Sequence, residues 1–282
     1  MKEVRRPDPE VGLARAALLV AQEEYPQLPV ERYLLRLDQW AEEVKDRLND
    51  ETAPPVVLQG VLQVLHQRNG LVGNREAYYD PRNSFLNEVM DRGLGIPLTL
   101  GIVILEVGWR LDLPLEGVNF PGHFLVRFRG ERLTLLVDPF DGGRIRFEDE
   151  AQEILDRVYG GVIRVRGAFL RAAGKREMLF RLLTNLKRIY LKVGDDERAL
   201  AAVERLLLVR PHASGEMRDR GAILARMGRW REAAEGLEDY LDHTPDAADA
   251  PQVRRLIGEL RKGRGAAEGG VEPPPGVDSD SS

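Results

Sequence analysis

The 282-residue chain contains no cysteine. That absence excludes disulfides, thiolate metal sites and cysteine catalysis together. No run approaches about 18 consecutive apolar residues, the length that would span a bilayer. The opening ten residues, MKEVRRPDPE, have no apolar stretch after their basic residues, so no signal peptide is expected. Excess charge is small as well: 41 Lys and Arg against 46 Asp and Glu, net −5. That argues against a general nucleic-acid binder. Together these absences predict a cytoplasmic protein with no membrane and no nucleic-acid partner.

What is present is a mixed-sign surface, with 31% charged residues, and length for about two domains. Residues 1–9 are charged and proline-bearing and read as loose. Apolar residues then recur at helical spacing from Val11 to Glu24 and from Val30 to Leu48, and again after Pro54-Pro55 until Asn69-Gly70. These are three lead-in helices. His66 reads as a helix-end histidine beside the dipole.

The centre of the chain is the stretch from Tyr78 to Phe140. Asp80-Pro81 marks a turn, and Asn83-Ser84 is placed to cap a helix over Phe85–Arg92. Tyr79, Asp80, Asn83 and Ser84 are candidates for the rim of a cleft. Pro97 opens a helix to about Leu111 that is apolar on nearly every side and so should be buried. Gly101 and Gly108 share one face of it, where a close-packed neighbour explains them. Thr99 sits in the first turn, where free N–H groups favour an anion or a nucleophile.

Two β-prone runs follow, His123–Arg129 and Arg132–Asp138, separated by Gly130-Glu131. A Gly-X pair predicts a two-residue type II′ hairpin. Pairing Arg129 with Arg132 puts His123 opposite Asp138, close enough for the carboxylate to accept the imidazole Nδ1–H. The pair is either structural or the orienting half of a catalytic triad. Phe120-Pro121-Gly122 predicts a tight turn before His123, and Asp141-Gly142-Gly143 another after Pro139. Arg127, Arg144 and Arg146 form either a basic rim or ordinary solvated ion pairs. Phe147 to Tyr159 reads as a helix after a turn. Gly160 to Gly174 is a strand with Val162, Arg164 and Arg166 alternating, or a linker.

A buried helix starting at a nucleophile, then His and Asp on successive strands, resembles the transglutaminase and papain-like architecture. The segments NREAYYDPRNSFLNEV, GIPLTLGIVILEV, GVNFPGHFLVRF and VDPFDGG resemble the bacterial transglutaminase-like proteins of the SirB type. Such proteins carry that core in front of tetratricopeptide repeats and are associated with regulation of gene expression. The resemblance implies catalytic-type roles for His123 and Asp138 and puts the nucleophile near Pro97 to Thr99, where no thiol stands. Thr99 is a hydroxyl nucleophile or an ordinary first-turn residue. The resemblance implies the fold, and not transglutaminase activity.

From Met178 the period changes. Gly194 and Gly228, Ala199 and Ala233, and Pro211 and Pro245 are each 34 apart, the tetratricopeptide period. Two helical hairpins and a closing helix over Pro251–Lys262 are predicted. Residues 263–282, rich in Gly, Pro, Ser and acid, are predicted to be disordered.

The expected fold is an α+β transglutaminase/papain-like core with a helical lead-in, followed by an all-α tetratricopeptide-repeat domain. The expected boundaries are 10–70 for the lead-in, 71–160 for the core, 161–176 for a linker and 177–262 for the repeats. No cofactor is expected. His123 and Asp138 supply two ligands with no third histidine nearby, so no metal is expected either. Two functions stay open. One is a non-catalytic module whose repeats hold a protein or peptide partner, or only brace the core. The other is a hydrolase or acyltransferase using His123 and Asp138 with Thr99, Ser84 or water.

Overall fold

The computed structural model describes residue 3 and residues 6–49, 51–131 and 133–263. The predicted disordered tail lies, from residue 264 on, outside the described residues. The chain forms two compact units that divide between Leu182 and Leu183.

In the first unit α1 (Leu13–Glu24), α2 (Val30–Leu48) and α3 (Pro54–Leu62) make the lead-in, α3 continuing into a wide π-type turn over Gln63–Arg68. On α2 the buried residues are Leu37, Trp40, Ala41 and Val44, one stripe at helical spacing. Next come β1 (Val72–Gly73), α4 (Leu86–Arg92) and β2 (Leu94–Gly95), with β1 and β2 paired in parallel.

α5 (Pro97–Trp109) is buried from Pro97 to Gly108. It packs on α1, α2 and α3 and, on the sheet, on β3 (Leu115–Val118) and β4 (Leu125–Arg129). Its one acid, Glu106, is buried for a reason. Glu106 Oε1 accepts the Ala14 N–H at 2.8 Å, and Oε2 pairs with Arg110 at 2.7 Å. α1 starts after Gly12 with no side-chain cap of its own, so a carboxylate from α5 satisfies one of its free donors.

β5 (Thr134–Asp138), β6 (Arg144–Arg146), α6 (Ala151–Tyr159) and β7 (Ala172–Ala173) complete the unit. The sheet is antiparallel throughout, in the order β6-β5-β4-β3-β7. Its register corrects the sequence reading. Arg129 pairs with Thr134 and Val126 with Val137, and Arg132 lies outside the described residues. The connection is therefore longer than two residues, closed by Gly130 N–H to Leu133 O at 3.0 Å. Gly130 is not among the positive-φ residues, and a type II′ turn requires positive φ there. A slip of two residues keeps every side chain on its predicted face.

The second sheet face is covered by α6: Val118, Phe120, Leu125 and Leu136 pack with Ala151, Ile154 and Leu155, flanked by Ile163 and Val165. The 162–166 stretch is not a strand. Gln152 holds it by its side chain, donating to Ile163 O and accepting from Val165 N–H, both at 2.9 Å, while Val162 is 85% exposed. The N-terminal residues are not loose at Asp8. Its carboxylate accepts the Lys175 and Arg176 N–H groups at 3.0 and 2.9 Å and so caps the start of α7 (Lys175–Val193).

The second unit takes in the rest of α7, then α8 (Asp196–Val209), α9 (Ser214–Arg226), α10 (Trp230–His243) and α11 (Ala250–Arg261). The repeat is visible in the backbone. Gly194 and Gly228 adopt φ +74° and +72° at equivalent turns, and Ala199 and Ala233 are both fully buried. Lys187 of α7 bonds Glu216 and Asp219 of α9 at 2.7 and 2.8 Å, joining the two hairpins.

Candidate functional site

Three local features place His123. Gly122 takes φ +62°, and His123 N–H donates to Phe120 O at 3.0 Å, closing the predicted turn. β4 begins at Leu125, so the histidine stands just before its strand. Gly101 fixes the depth: a Cβ there would lie 2.5 Å from the Phe124 ring and 3.5 Å from Pro139. α5 thus packs against the neighbours of both His123 and Asp138.

His123 Nε2 lies 2.8 Å from Asp138 Oδ1. The nitrogen used is Nε2, and not the Nδ1 expected from direct pairing; His123 precedes β4 and has no partner in the ladder. Asp138 is 1% exposed, and its Oδ1 also accepts the Phe140 and Asp141 N–H groups at 3.1 and 3.2 Å. Burial pushes its carboxyl up. The His123 hydrogen bond and charge and the two N–H donors outweigh that and hold it below the usual aspartate value. An ionised Asp138 only accepts, so Nε2 carries the proton. Nδ1 is left as the imidazole nitrogen able to take one.

The other candidates fall apart into different roles. Thr99 Oγ1 donates to Asn83 O at 2.7 Å and accepts from Ile96 N–H at 3.2 Å. This is the backward reach of a third-position helix residue, and no described hydrogen bond joins Thr99 to His123. Ser84 does not cap α4, correcting the sequence reading. Pro81–Ser84 forms a 3-10 turn that makes Phe85 the N-cap, and Ser84 Oγ is buried with no hydrogen-bond partner. Asn83 is a buried hub, donating to Ala77 O and Tyr78 O and accepting from Asn74. Asp80 caps the 3-10 turn at Arg82 N–H and pairs with the Arg82 guanidinium. The hydrogen bonds from Arg82 hold its carboxyl low.

Tyr79 is 58% exposed, and a line of ring contacts runs from it to the dyad. Tyr79 meets Tyr78 at 5.3 Å, Tyr78 meets Phe140 at 5.8 Å, and Phe140 meets His123 at 6.3 Å, all edge-on. Phe140 escaped the sequence reading, although its place two residues after Asp138 was a signal. His66 donates Nδ1–H to Leu71 O at 2.6 Å and packs on Gly143. Its desolvation lowers its pKa despite that bond.

The arginines divide. Arg127 is tied to Glu116 and Leu170 O, and Arg144 lies near Asp141. Arg146 is 1% exposed, so neither a rim nor a solvated pair describes it. Among the described residues no group of three or more His, Cys, Asp or Glu could hold a metal ion. No helix among them is long and apolar enough to cross a membrane.

Two family models match the chain. The model of the transglutaminase-like superfamily matches residues 31–184, and that of the tetratricopeptide repeat matches residues 186–258. A UPF0162 protein of Xylella fastidiosa is 35% identical over 260 residues, 91% of this chain and 92% of the relative. A UPF0162 protein of Pseudomonas aeruginosa is 29% identical, covering 88% of this chain and 91% of the relative. Protein SirB1 of Salmonella typhimurium is 27% identical, covering 72% of this chain and 76% of the relative. No solved structure matches. The chain belongs to the transglutaminase-like superfamily and to the UPF0162 proteins, and it carries tetratricopeptide repeats after its transglutaminase-like part.

Proposed function

We propose that this protein is a non-catalytic transglutaminase-like module that acts by binding, with a regulatory role carried by a protein or peptide partner on its repeats. One observation carries the reading. The start of α5, where a nucleophile would stand beside the dyad, holds Pro97, Leu98 and Thr99, and the Thr99 hydroxyl is committed to Asn83 and Ile96. Tetratricopeptide repeats in general mediate protein–protein interaction, and their stacked helices offer a concave surface for it. The His123–Asp138 pair then survives as a holding element. A cytoplasmic location belongs to the same reading, and cell fractionation tests it.

The direct test is crosslinking and affinity capture from the source cells with the full chain. The comparison is a full-length variant in which the exposed Arg188, Arg254 and Arg255 of α7 and α11 are changed to Glu. Partners held by wild type and lost by the variant support the reading. Identical partners for both remove the repeats as the binding surface.

A second reading is favoured by the intact dyad: Asp138 held ionised, 2.8 Å from Nε2. It is a hydrolase or acyltransferase in which His123 Nδ1 activates water, or Thr99 or Ser84 after rearrangement. Turnover of any acyl ester or amide by wild type, abolished in a folded His123→Ala variant, would establish it. Equal rates in both end it.

A further inference from the structure

Asp141 stands among three guanidinium groups on the flank of the dyad. Its Oδ1 accepts from Arg75 Nη2 at 3.1 Å. Its Oδ2 is 3.9 Å from Arg144 Nη1 and 3.8 Å from Arg146 Nη2. Those two are ion-pair separations, too long for hydrogen bonds. Arg146 also gives Nη1 to Glu153 at 3.1 Å. Arg75 and Arg144 thus share Asp141, one carboxylate between two exposed guanidinium groups.

Arg146 carries the second observation. Its Nε and Nη2 are buried and make no hydrogen bond, on a side chain that is 1% exposed. Nε–H and one Nη2–H lie on the same edge of a guanidinium, the edge that takes a carboxylate in a bidentate pair. Leaving both donors unmet in the interior is costly. An Asp141 carboxylate oxygen lies 3.8 Å from Arg146 Nη2, while the other oxygen of that carboxylate accepts from Arg75.

The outer two arginines are open to a ligand, with the side chains of Arg75 and Arg144 each 59% exposed. The Arg75 guanidinium lies 5.1 Å from the centre of the Phe140 ring, and past Phe140 come Tyr78 and Tyr79.

We propose that Arg75 and Arg144 form a binding site for an acidic segment of a partner protein, with Asp141 as its internal placeholder. The incoming carboxylate takes Arg75 and Arg144. The released Asp141 side chain turns onto the open Nε–Nη2 edge of Arg146 and completes a buried bidentate pair. Its main chain stays in place, since the Asp141 N–H remains on Asp138 Oδ1 at 3.2 Å. The placeholder is itself a peptide carboxylate, which is why the ligand class is an Asp- or Glu-bearing peptide. The exposed tyrosine rings receive the residues beside the acid. This site lies on the first unit and stands or falls independently of partner binding by the repeats.

The probe is the capped pentapeptide acetyl-Gly-Asp-Tyr-Asp-Gly-amide, titrated by calorimetry into the full chain. Controls are the same peptide with Asn for Asp, and inorganic phosphate. Wild type binds the Asp peptide saturably and the Asn peptide not at all. Arg75→Gln and Arg144→Gln each weaken binding about tenfold or more, in keeping with loss of a charge-assisted bond. Both positions are exposed, so unchanged melting temperatures are expected. The side-chain carboxyl carbon resonance of Asp141 moves on addition of the Asp peptide. Equal binding of both peptides, phosphate binding as tightly as the Asp peptide, full affinity in both Gln variants, or an unmoved Asp141 resonance overturns the proposal.

Discussion

The Thr99 hydroxyl donates to the Asn83 carbonyl oxygen at 2.7 Å, across a separation of 16 residues. That bond ties the first turn of α5 to the segment carrying Tyr78 and Tyr79. It also explains why a hydroxyl at the place of a nucleophile serves structure.

Thr99→Val removes this donor and the acceptor for Ile96 N–H while keeping the shape of the side chain. Two buried main-chain groups lose their partner. Urea denaturation is expected to show a loss of about 1–3 kcal/mol at an unchanged m-value. Thr99→Ser, which keeps the hydroxyl, should lose less. A neutral Thr99→Val would mean that the bond contributes nothing.

Glu106→Ala takes away the cap of α1 and one of the two carboxylates on Arg110, the other being Asp38 at 2.6 Å. The expected destabilisation is about 1–3 kcal/mol, the scale for leaving a buried donor unmet, since Asp38 still balances Arg110. Glu106→Gln keeps an acceptor for Ala14 N–H and should recover part of it. Equal losses in the two variants would show that the charge alone matters.

Gly101→Ala tests the packing that sets the dyad. Alanine in a helix interior is normally better than glycine by about 1 kcal/mol. Here the new Cβ would meet the Phe124 ring at 2.5 Å, and overpacking of that kind costs about 1–3 kcal/mol. The net sign is destabilising, and the His123 imidazole resonances should shift with the displaced Phe124. A stabilised variant with unmoved resonances would contradict this placement.

Asp138 makes stability depend on acid pH. Its folded-state pKa lies below the unfolded value, so unfolding takes up a proton as pH falls. The stabilisation is fully present above the unfolded value, about 4, and is lost as pH drops from there through the folded value. Urea midpoints measured from about pH 5 to pH 2.5 should fall more steeply for wild type than for Asp138→Asn. Parallel curves would show that the fold does not hold the Asp138 carboxyl low.

Much of this protein was legible in local pattern. The 34-residue spacing put Gly194 and Gly228 in the same left-handed turn, and the all-round apolarity of α5 predicted its burial. Both are periodic signals that local backbone geometry converts directly into structure. His123 and Asp138 were also found, because a Gly turn and two β-prone runs bring them together whether the register is the expected one or slipped by two.

What stayed hidden was every interaction decided by distant residues. Glu106 is the one acid in an apolar helix, and only the fold shows the free N–H of α1 that it accepts. Asp8 looked like part of a loose leader, yet it caps a helix 167 residues further on. Arg146 read as a surface charge, and the tertiary fold buried it. The sequence by itself determined the two-part architecture, the long helices, the β4–β5 pair and the absence of a thiol, since these follow from composition and period. Only the tertiary structure decided that Thr99 is a cap, that Phe140 connects the tyrosines to His123, and that Asp141 stands between three arginines. Such partners are set by the packing of segments far apart in the chain, which no local spacing encodes.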